Sequence, residues 1–286
     1  MDPFDNSFMQ QFSNSLSCDE TGIYHSDFSE EISYPDDGND LCLEVEDHSF
    51  WFRHRNNCII EMIRNYPPQM KGPIFDIGGG NGYVSKAIMD AGWDAILVEP
   101  GLSGAKNAKK RGVSHVVCAT SQSAKLKHGT LPAIGVFDVV EHIENDIGFL
   151  KHLWELLPPG GMIYLTVPAY QSLWSLEDED GGHFRRYTLK SLEMKLEQSG
   201  FSVKYSTYFF TFLPFIIFLF RTLPYRFNLL KKANNYTRRK NDHSIRQGLH
   251  KKILKFIMNL EIIIISKKNK IYHGGSCLIS AIKRNK

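Results

Sequence analysis

No lysine or arginine occurs in the first 47 residues, although thirteen aspartates and glutamates fall among them. Such a stretch cannot track a phosphate backbone or hold to an anionic surface, and it reads as a solvated acidic tail. Cysteine is also sparse: Cys18, Cys42, Cys58, Cys118 and Cys277 are odd in number and widely scattered. The absence of CxxC or CxxH spacing excludes a zinc-ribbon type of site and a disulfide framework, and no metal ligands are expected. The acidic, polar start offers no secretory leader, so the chain is expected to be intracellular and cytoplasmic. The aromatic run Tyr208–Phe220 is interrupted by Pro214 and falls short of the ~20 apolar residues that a membrane-crossing helix needs. Internal repeats are absent.

What is present is ordinary in amount and unusual in distribution. The 286 residues are 42% hydrophobic and 23% charged, with a net charge of +3. These values suit a globular protein. The charge is segregated, however: Arg221–Lys286 holds seventeen basic residues against two acids, Asp242 and Glu261. Residues 1–45 lack sustained periodicity and are expected to be disordered. Residues 46–72 should carry a helix that starts near His48, with Phe50, Ile59, Ile60 and Ile63 on its apolar face, and ends before Pro67-Pro68. From Pro73 onward short apolar runs alternate with helical segments, the pattern of a doubly wound parallel sheet. After a helix over Leu189–Ser199, FSVKYSTY and SCLISAI read as the last strands. The sheet domain then spans 73–207 and 273–286, with an apolar and basic helical insert at 208–272.

The stretch FDIGGGNG, Phe75–Gly82, ends the first strand in four glycines, which removes side chains where a ligand needs bare backbone. Gly78, Gly80 and Gly82 follow GxGxG rather than the dinucleotide spacing GxGxxG, with Tyr83 in place of the third glycine. Glu99 closes the next strand at about the ~20-residue distance of a ribose-binding carboxylate. Turn and carboxylate together point to a nucleoside-containing ligand. A nucleotide-cofactor oxidoreductase is one alternative, and a non-catalytic membrane-surface module is another.

At these residues the chain resembles the class I S-adenosylmethionine-dependent methyltransferases. FDIGGGNG is similar to their first motif, ILVEP to the second, FDVVEHIEND to the fourth-strand motif, and LLPPGGMIYLTVP to the turn and fifth strand. WFRHRN at Trp51–Asn56 and GHFRRYT at Gly182–Thr188 further resemble a bacterial type 11/12-like subgroup with WFxxRN and GHxRRYT segments. The resemblance implies a Rossmann-like sheet of seven strands, mostly parallel with an antiparallel last strand, and a helical insert between strands six and seven. It also implies S-adenosylmethionine as cofactor. Two features depart from the pattern. Glu177 stands where the subgroup has histidine, and Cys118-Ala119-Thr120-Ser121 supplies no acid for the adenine.

On this resemblance Asp76, Gly78, Gly80, Gly82, Glu99 and Glu141 are expected to hold the cofactor. His142, His183 and Tyr187 are expected to act in catalysis, with His142 a base near its ordinary pKa of about 6.5. Glu141 and His142 are equally placed to cap the next helix. Trp51, Arg55, Arg185 and Arg186 are expected to bind substrate, the first pair as a lid and the second as a clamp on phosphate or carboxylate. The acceptor is expected to be small or lipid-linked. Ile245, Leu249, Ile253, Ile257, Leu260 and Ile264 fall at helical spacing among lysines, which with the aromatic run reads as peripheral contact with the inner face of a membrane. Nucleic acid is not an expected partner.

Overall fold

The computed structural model describes residues 6–27, 38–227 and 249–284. Its strands are β1 (Leu16–Cys18), β2 (Ile23–Ser26), β3 (Ile74–Ile77), β4 (Ala95–Val98), β5 (His115–Cys118), β6 (Ala133–Phe137), β7 (Met162–Pro168), β8 (Phe201–Phe209) and β9 (Ser276–Lys283). Its helices are α1 (Asn6–Gln10), α2 (Gly38–Glu46), α3 (Phe50–Asn65), α4 (Tyr83–Asp90), α5 (Leu102–Lys110) and α6 (Asp146–Leu156). They continue with α7 (Leu176–Asp180), α8 (Leu189–Gln198), α9 (Leu213–Ile217), α10 (Leu223–Arg226) and α11 (Leu249–Ser266).

The strands form one sheet in the order β1-β2-β5-β4-β3-β6-β7-β9-β8. Every residue of β3, β4 and β6 is buried, as expected for parallel strands covered by helices on both faces. The chain runs outward from β3 through β4 to β5, then returns to place β6 on the other side of β3. That reversal opens a crevice at the carboxyl ends of β3 and β6, where ligands of such sheets bind. β9 is antiparallel to both β7 and β8.

The sheet has nine strands, two more than the sequence reading expected. The extra pair is β1 and β2, which lie in the segment read as a disordered tail. β2 pairs in parallel with β5, Ile23 opposite Val116, and β1 pairs antiparallel with β2. The Asp19 carboxylate shapes the intervening turn by accepting from the backbone N–H of Thr21 at 2.8 Å and of Ile23 at 3.0 Å. Just after α1, Phe12 is buried edge-on against Phe75 of β3, with ring centroids 4.9 Å apart. The acids of this segment stay outside while Met9, Phe12, Ile23 and Tyr24 are buried. The remaining residues of the expected tail, 1–5 and 28–37, lie outside the described residues.

α3 starts where the Ser49 hydroxyl accepts from the Trp51 N–H at 3.1 Å, and it ends at Tyr66, before the two prolines. Residues 210–275 connect β8 to β9. The aromatic run is divided by burial: Phe209 and Phe210 are fully buried, whereas Phe215 and Phe220 are about 70% exposed. Phe210 stacks on Trp51 at 5.5 Å, which ties this connection to α3. A second tie is polar. Glu261 of α11 accepts from His54 of α3 at 2.7 Å and from the N–H groups of Phe210 and Thr211 at 2.8 and 2.7 Å. Ile245 and Arg246 lie outside the described residues.

Candidate active site

The carboxyl ends of β3, β4, β6 and β7 open into a cavity of about 1490 Å³. Its floor is the glycine turn. Gly78 and Gly80 have φ of 73° and 54°, the left-handed region that glycine enters without strain. A Cβ on Gly78 would meet Val139 Cγ2 at 2.7 Å, and one on Gly79 would meet Asp76 Oδ2 at 2.6 Å. Bare backbone is therefore required at both positions. Gly82 shares the left-handed φ of 73° and has a further reason to be glycine. It does not line the cavity, and a Cβ there would meet Ala108 at 2.8 Å, so its bareness serves the approach of α5.

Two carboxylates border this turn. Asp76 is fully buried; its Oδ2 accepts from the Ser85 hydroxyl at 2.7 Å, and its Oδ1 has no partner among the described residues. Burial raises its pKa to about 6. Glu99 accepts from the N–H of Gly80 and of Gly101, both at 2.8 Å, and more distantly from the Asn39 amide at 3.3 Å. Burial pushes its pKa upward against those donors. The turn and the carboxylate are thus bonded to each other, which fixes their spacing. Bare backbone, an unsatisfied buried acceptor at Asp76 and a fixed acidic group at Glu99 fit a nucleoside cofactor. The hydroxyl-bearing Thr120 and Ser121 line the adjacent wall, where no acid stands.

Across the cavity, Asp138 follows β6 in a left-handed conformation, φ 57°. Thr166 holds it there: the Asp138 N–H donates to the Thr166 carbonyl at 2.9 Å and the Thr166 hydroxyl donates to Oδ1 at 3.0 Å. Its Oδ2 pairs with Arg55, whose guanidinium lies 5.0 Å from the Trp51 ring centroid and 5.3 Å from that of Phe52. Trp51 and Arg55 both line the cavity. Sequence reasoning quoted the motif containing Asp138 without singling out this residue. It also missed Asn39 and Glu46 of α2, which line the cavity, Asn39 reaching Glu99.

Glu141 is buried at the end of the same motif, and its pKa lies well above the carboxylate range through burial and the neighbouring Asp138. His142 faces His183 edge-on with ring centroids 4.7 Å apart. Burial, then the charge of His183, lowers the His142 pKa to about 4. His183 is held by Asp178, which meets its Nδ1 at 2.9 Å, and by the Phe184 N–H donating to the Glu141 carbonyl at 2.7 Å.

The rest of the GHFRRYT segment corrects the sequence reading. Tyr187 was expected in catalysis, but it is 2% exposed and donates to Asp146 Oδ2 at 2.8 Å, away from the cavity. Arg185 donates to the carbonyls of Ile143 and Glu144 and pairs with Asp146 at 2.9 Å, which makes it a brace between loops. Arg186 does line the cavity, yet its Nε donates to Asp178 at 2.7 Å and Nη1 to the Ala169 carbonyl at 3.3 Å. The two adjacent arginines thus pair with different acids, Arg185 with Asp146 and Arg186 with Asp178. Adjacency in sequence gives no common direction, and each found its own buried acid.

A family model described as a methyltransferase domain matches residues 51–205, more than half of the chain. No curated protein matches the chain. Solved structures share its fold. One is phosphoethanolamine N-methyltransferase 2 of Haemonchus contortus with phosphomonomethylethanolamine and S-adenosylhomocysteine, at TM-score 0.54 and 15% identity over 88% of this chain. This chain spans 58% of that protein. Another is a S-adenosylmethionine-dependent methyltransferase of Thermotoga maritima, at TM-score 0.51 and 17% identity over 86% of this chain and 99% of that one. A putative methyltransferase of Bacillus halodurans matches at TM-score 0.51 and 16% identity, over 79% of this chain and 99% of its own. The chain belongs to the methyltransferase domain family, enzymes that take their methyl group from S-adenosylmethionine.

Proposed function

We propose that the acceptor is an amphiphilic, lipid-linked molecule, methylated while the enzyme rests on a membrane surface. The observation that carries this reading is the shape of the cavity. Its 1490 Å³ exceeds the roughly 300–1,000 Å³ of ordinary ligand pockets, leaving room beyond a nucleoside cofactor. The far wall is apolar, built by Phe212, Leu213, Ile217, Phe220, Ile253 and Ile257 of the β8–β9 connection. Those residues lead outward to Phe215, Phe227 and Phe256, each more than 60% exposed. Large aromatic side chains exposed beside an apolar cavity wall suit an interaction surface. No helix among the described residues is long and apolar enough to cross a membrane, so contact would be peripheral.

In this reading Asp76, Gly78, Gly79, Gly80 and Glu99 hold the cofactor, which when bound supplies a methyl group on a positively charged sulfur. The chain's own task is alignment, worth up to ~7–11 kcal/mol in ideal cases, and removal of the acceptor's proton. His142 is placed for the second task beside His183. Burial lowers its pKa to about 4, well below the 6.5 expected from the sequence, which keeps the ring neutral and makes it a weaker base than a free imidazole. Arg55 and Asp138 form the wall across from the glycine turn, and Trp51 of α3 closes the side next to them. The acceptor's polar end lies toward His142 and His183, its tail toward Phe212 and Phe220.

The test is transfer of tritiated methyl groups from S-adenosylmethionine to a total lipid extract in mixed micelles, beside the water-soluble fraction of the same cells. Label should enter the organic phase. Label confined to water-soluble product would replace the lipid-linked acceptor with a small polar one.

A further inference from the structure

We propose that Glu141, His142 and His183 form a binding site for a divalent first-row transition cation at the acceptor end of the cavity. One ligand atom from each of the three lies within 4.8 Å of the other two. A tetrahedral ion with metal–ligand bonds of about 2.0–2.1 Å holds its ligands ~3.4 Å apart. Side-chain rotations of about an ångström close that gap, and all three residues line the cavity.

Proximity alone is common in proteins, and the decisive feature is an unsatisfied atom. Glu141 is 1% exposed, and its Oε2 has no hydrogen-bond partner among the described residues. A polar atom buried in this way is destabilising until a partner arrives. Arg55 is engaged by Asp138 and Arg186 by Asp178. A cation between Glu141 and the two imidazoles supplies the missing partner.

His183 is already set as a ligand. Its Nδ1 is bonded to Asp178, which leaves Nε2 as the ring's other donor atom. Asp178 is itself fully buried and held by the Ser175 N–H at 2.9 Å and Arg186 Nε at 2.7 Å. A carboxylate behind a histidine, itself anchored, is the usual support of metal-binding imidazoles. This also explains the placement of Arg186: it braces the support rather than clamping substrate.

A second cluster shows the contrast. His54, Cys58 and Glu261 lie equally close together and are all buried. There Glu261 accepts from His54, Phe210 N–H, Thr211 N–H and the Thr211 hydroxyl, so its oxygens are satisfied without an ion. Asp138 is likewise satisfied by Arg55 and Thr166, and it adds negative field without serving as a ligand.

Two imidazoles and one carboxylate suit zinc, iron, cobalt or manganese better than magnesium, and they leave coordination positions open toward the cavity. An acceptor hydroxyl, carboxylate or phosphate oxygen bound there would be polarised, and a hydroxyl would lose its proton more readily. This consequence rests on the methyltransferase reading, whereas cation binding does not.

The experiment is titration of the metal-stripped full-length protein with Co²⁺, read by visible absorption, and with Zn²⁺, read by calorimetry, both without cofactor. One equivalent should bind, and Glu141→Gln and His183→Asn should each weaken it at least ~10-fold, with S-adenosylhomocysteine binding retained in the His183→Asn protein as the check on its folding. Anomalous scattering from zinc-soaked crystals should place the ion among these three side chains, a readout independent of whether the variants fold. A wild-type protein that binds S-adenosylhomocysteine but no Co²⁺ or Zn²⁺ would overturn the site. So would an ion located elsewhere, or Co²⁺ affinity unchanged in folded variants.

Discussion

Arg55, on the helix before the first sheet strand of the methyltransferase domain, forms an ion pair with Asp138, 83 residues away at the end of β6. Their side chains are only 10% and 20% exposed. The guanidinium packs on Trp51 and Phe52 of the same helix, so the ion pair helps to hold α3 over the active-site crevice, which Phe50, Trp51 and Phe52 also line. Breaking a buried pair leaves a charge without compensation, at a cost of about 3–5 kcal/mol when burial is complete. Arg55→Ala should fall near the lower end, about 3 kcal/mol, measured by urea unfolding. Arg55→Lys should recover only part, because lysine keeps the charge but not the planar stacking group. An Arg55→Ala protein as stable as wild type would show that the pair does not hold the lid.

Glu99 is bonded to the turn it is expected to serve. Replacing it by alanine removes the acceptor for the Gly80 and Gly101 N–H groups as well as one for the cofactor. The affinity for S-adenosylhomocysteine should drop by about 1–3 kcal/mol, the usual loss for a charged hydrogen-bond partner. Calorimetric titration decides it, and unchanged affinity in a folded Glu99→Ala protein would remove Glu99 from the cofactor site.

Asp76 gives a pH-dependent test. Its folded pKa of about 6 lies above the unfolded value of 3.8, so the folded state favours the protonated carboxyl. The resulting stability is fully present below pH 3.8 and is lost as pH rises through 6. His142 has the opposite sign: with its folded pKa lowered to about 4 from 6.5, its contribution is present above 6.5 and lost as pH falls toward 4. Asp76→Asn removes the first dependence and leaves the second. Compared with wild type, the variant should gain about 2–3 kcal/mol on going from pH 4 to pH 8. Cofactor binding should weaken, since an acceptor becomes an amide. A stability difference that does not change with pH would contradict this account.

The strands from β3 to β7 were legible because each is a short apolar run between helical segments, and β3, β4 and β7 are closed by glycine or proline as well. Those signals are local. The pair β1 and β2 was hidden because strands of three and four residues show no periodicity, and the acids around them dominate the composition. Phe12 finds its partner Phe75 across 63 residues, which no window of sequence contains. Glu261 was visible as one of two acids in a basic segment, yet its reason lies in His54, 207 residues away. The glycine turn was read from spacing, but spacing could not separate Gly82, which serves packing, from Gly78, which faces the cavity. Side-chain direction was the missing quantity there, as it was for Arg185 and Tyr187.

The N-terminal segment yields its own prediction. Phe12→Ala should cost about 3–5 kcal/mol, the range for a buried phenylalanine whose site cannot collapse. A solvated tail would tolerate the change. Thermal unfolding of the full-length variant distinguishes the two, and an unchanged midpoint would return residues 6–27 to the tail reading.

The β8–β9 connection should bring the active site to a membrane. Phe215 and Phe220 stand out from it, each about 70% exposed, and Ile253 and Phe256 stand out from α11. Full burial of such a side chain is worth about 1.5–3 kcal/mol. Lys252 and Lys255 are exposed on the same helix, and each adds about 1 kcal/mol near an anionic leaflet. The two contributions respond differently to salt. The Debye length shrinks from ~10 Å at 0.1 M to ~3 Å at 1 M, so the lysine share should fade while the aromatic share persists. In flotation with vesicles containing anionic lipid, the wild-type protein should float at low salt and be partly released at high salt. Lys252→Glu with Lys255→Glu should lower binding at low salt and flatten the salt response. Phe215→Ser with Phe220→Ser should leave a weaker interaction that salt abolishes, because only attraction between charges remains. A wild-type protein that stays at the bottom of the gradient at low salt would end the membrane reading, and the apolar wall would then be the cap of a pocket for a water-soluble acceptor.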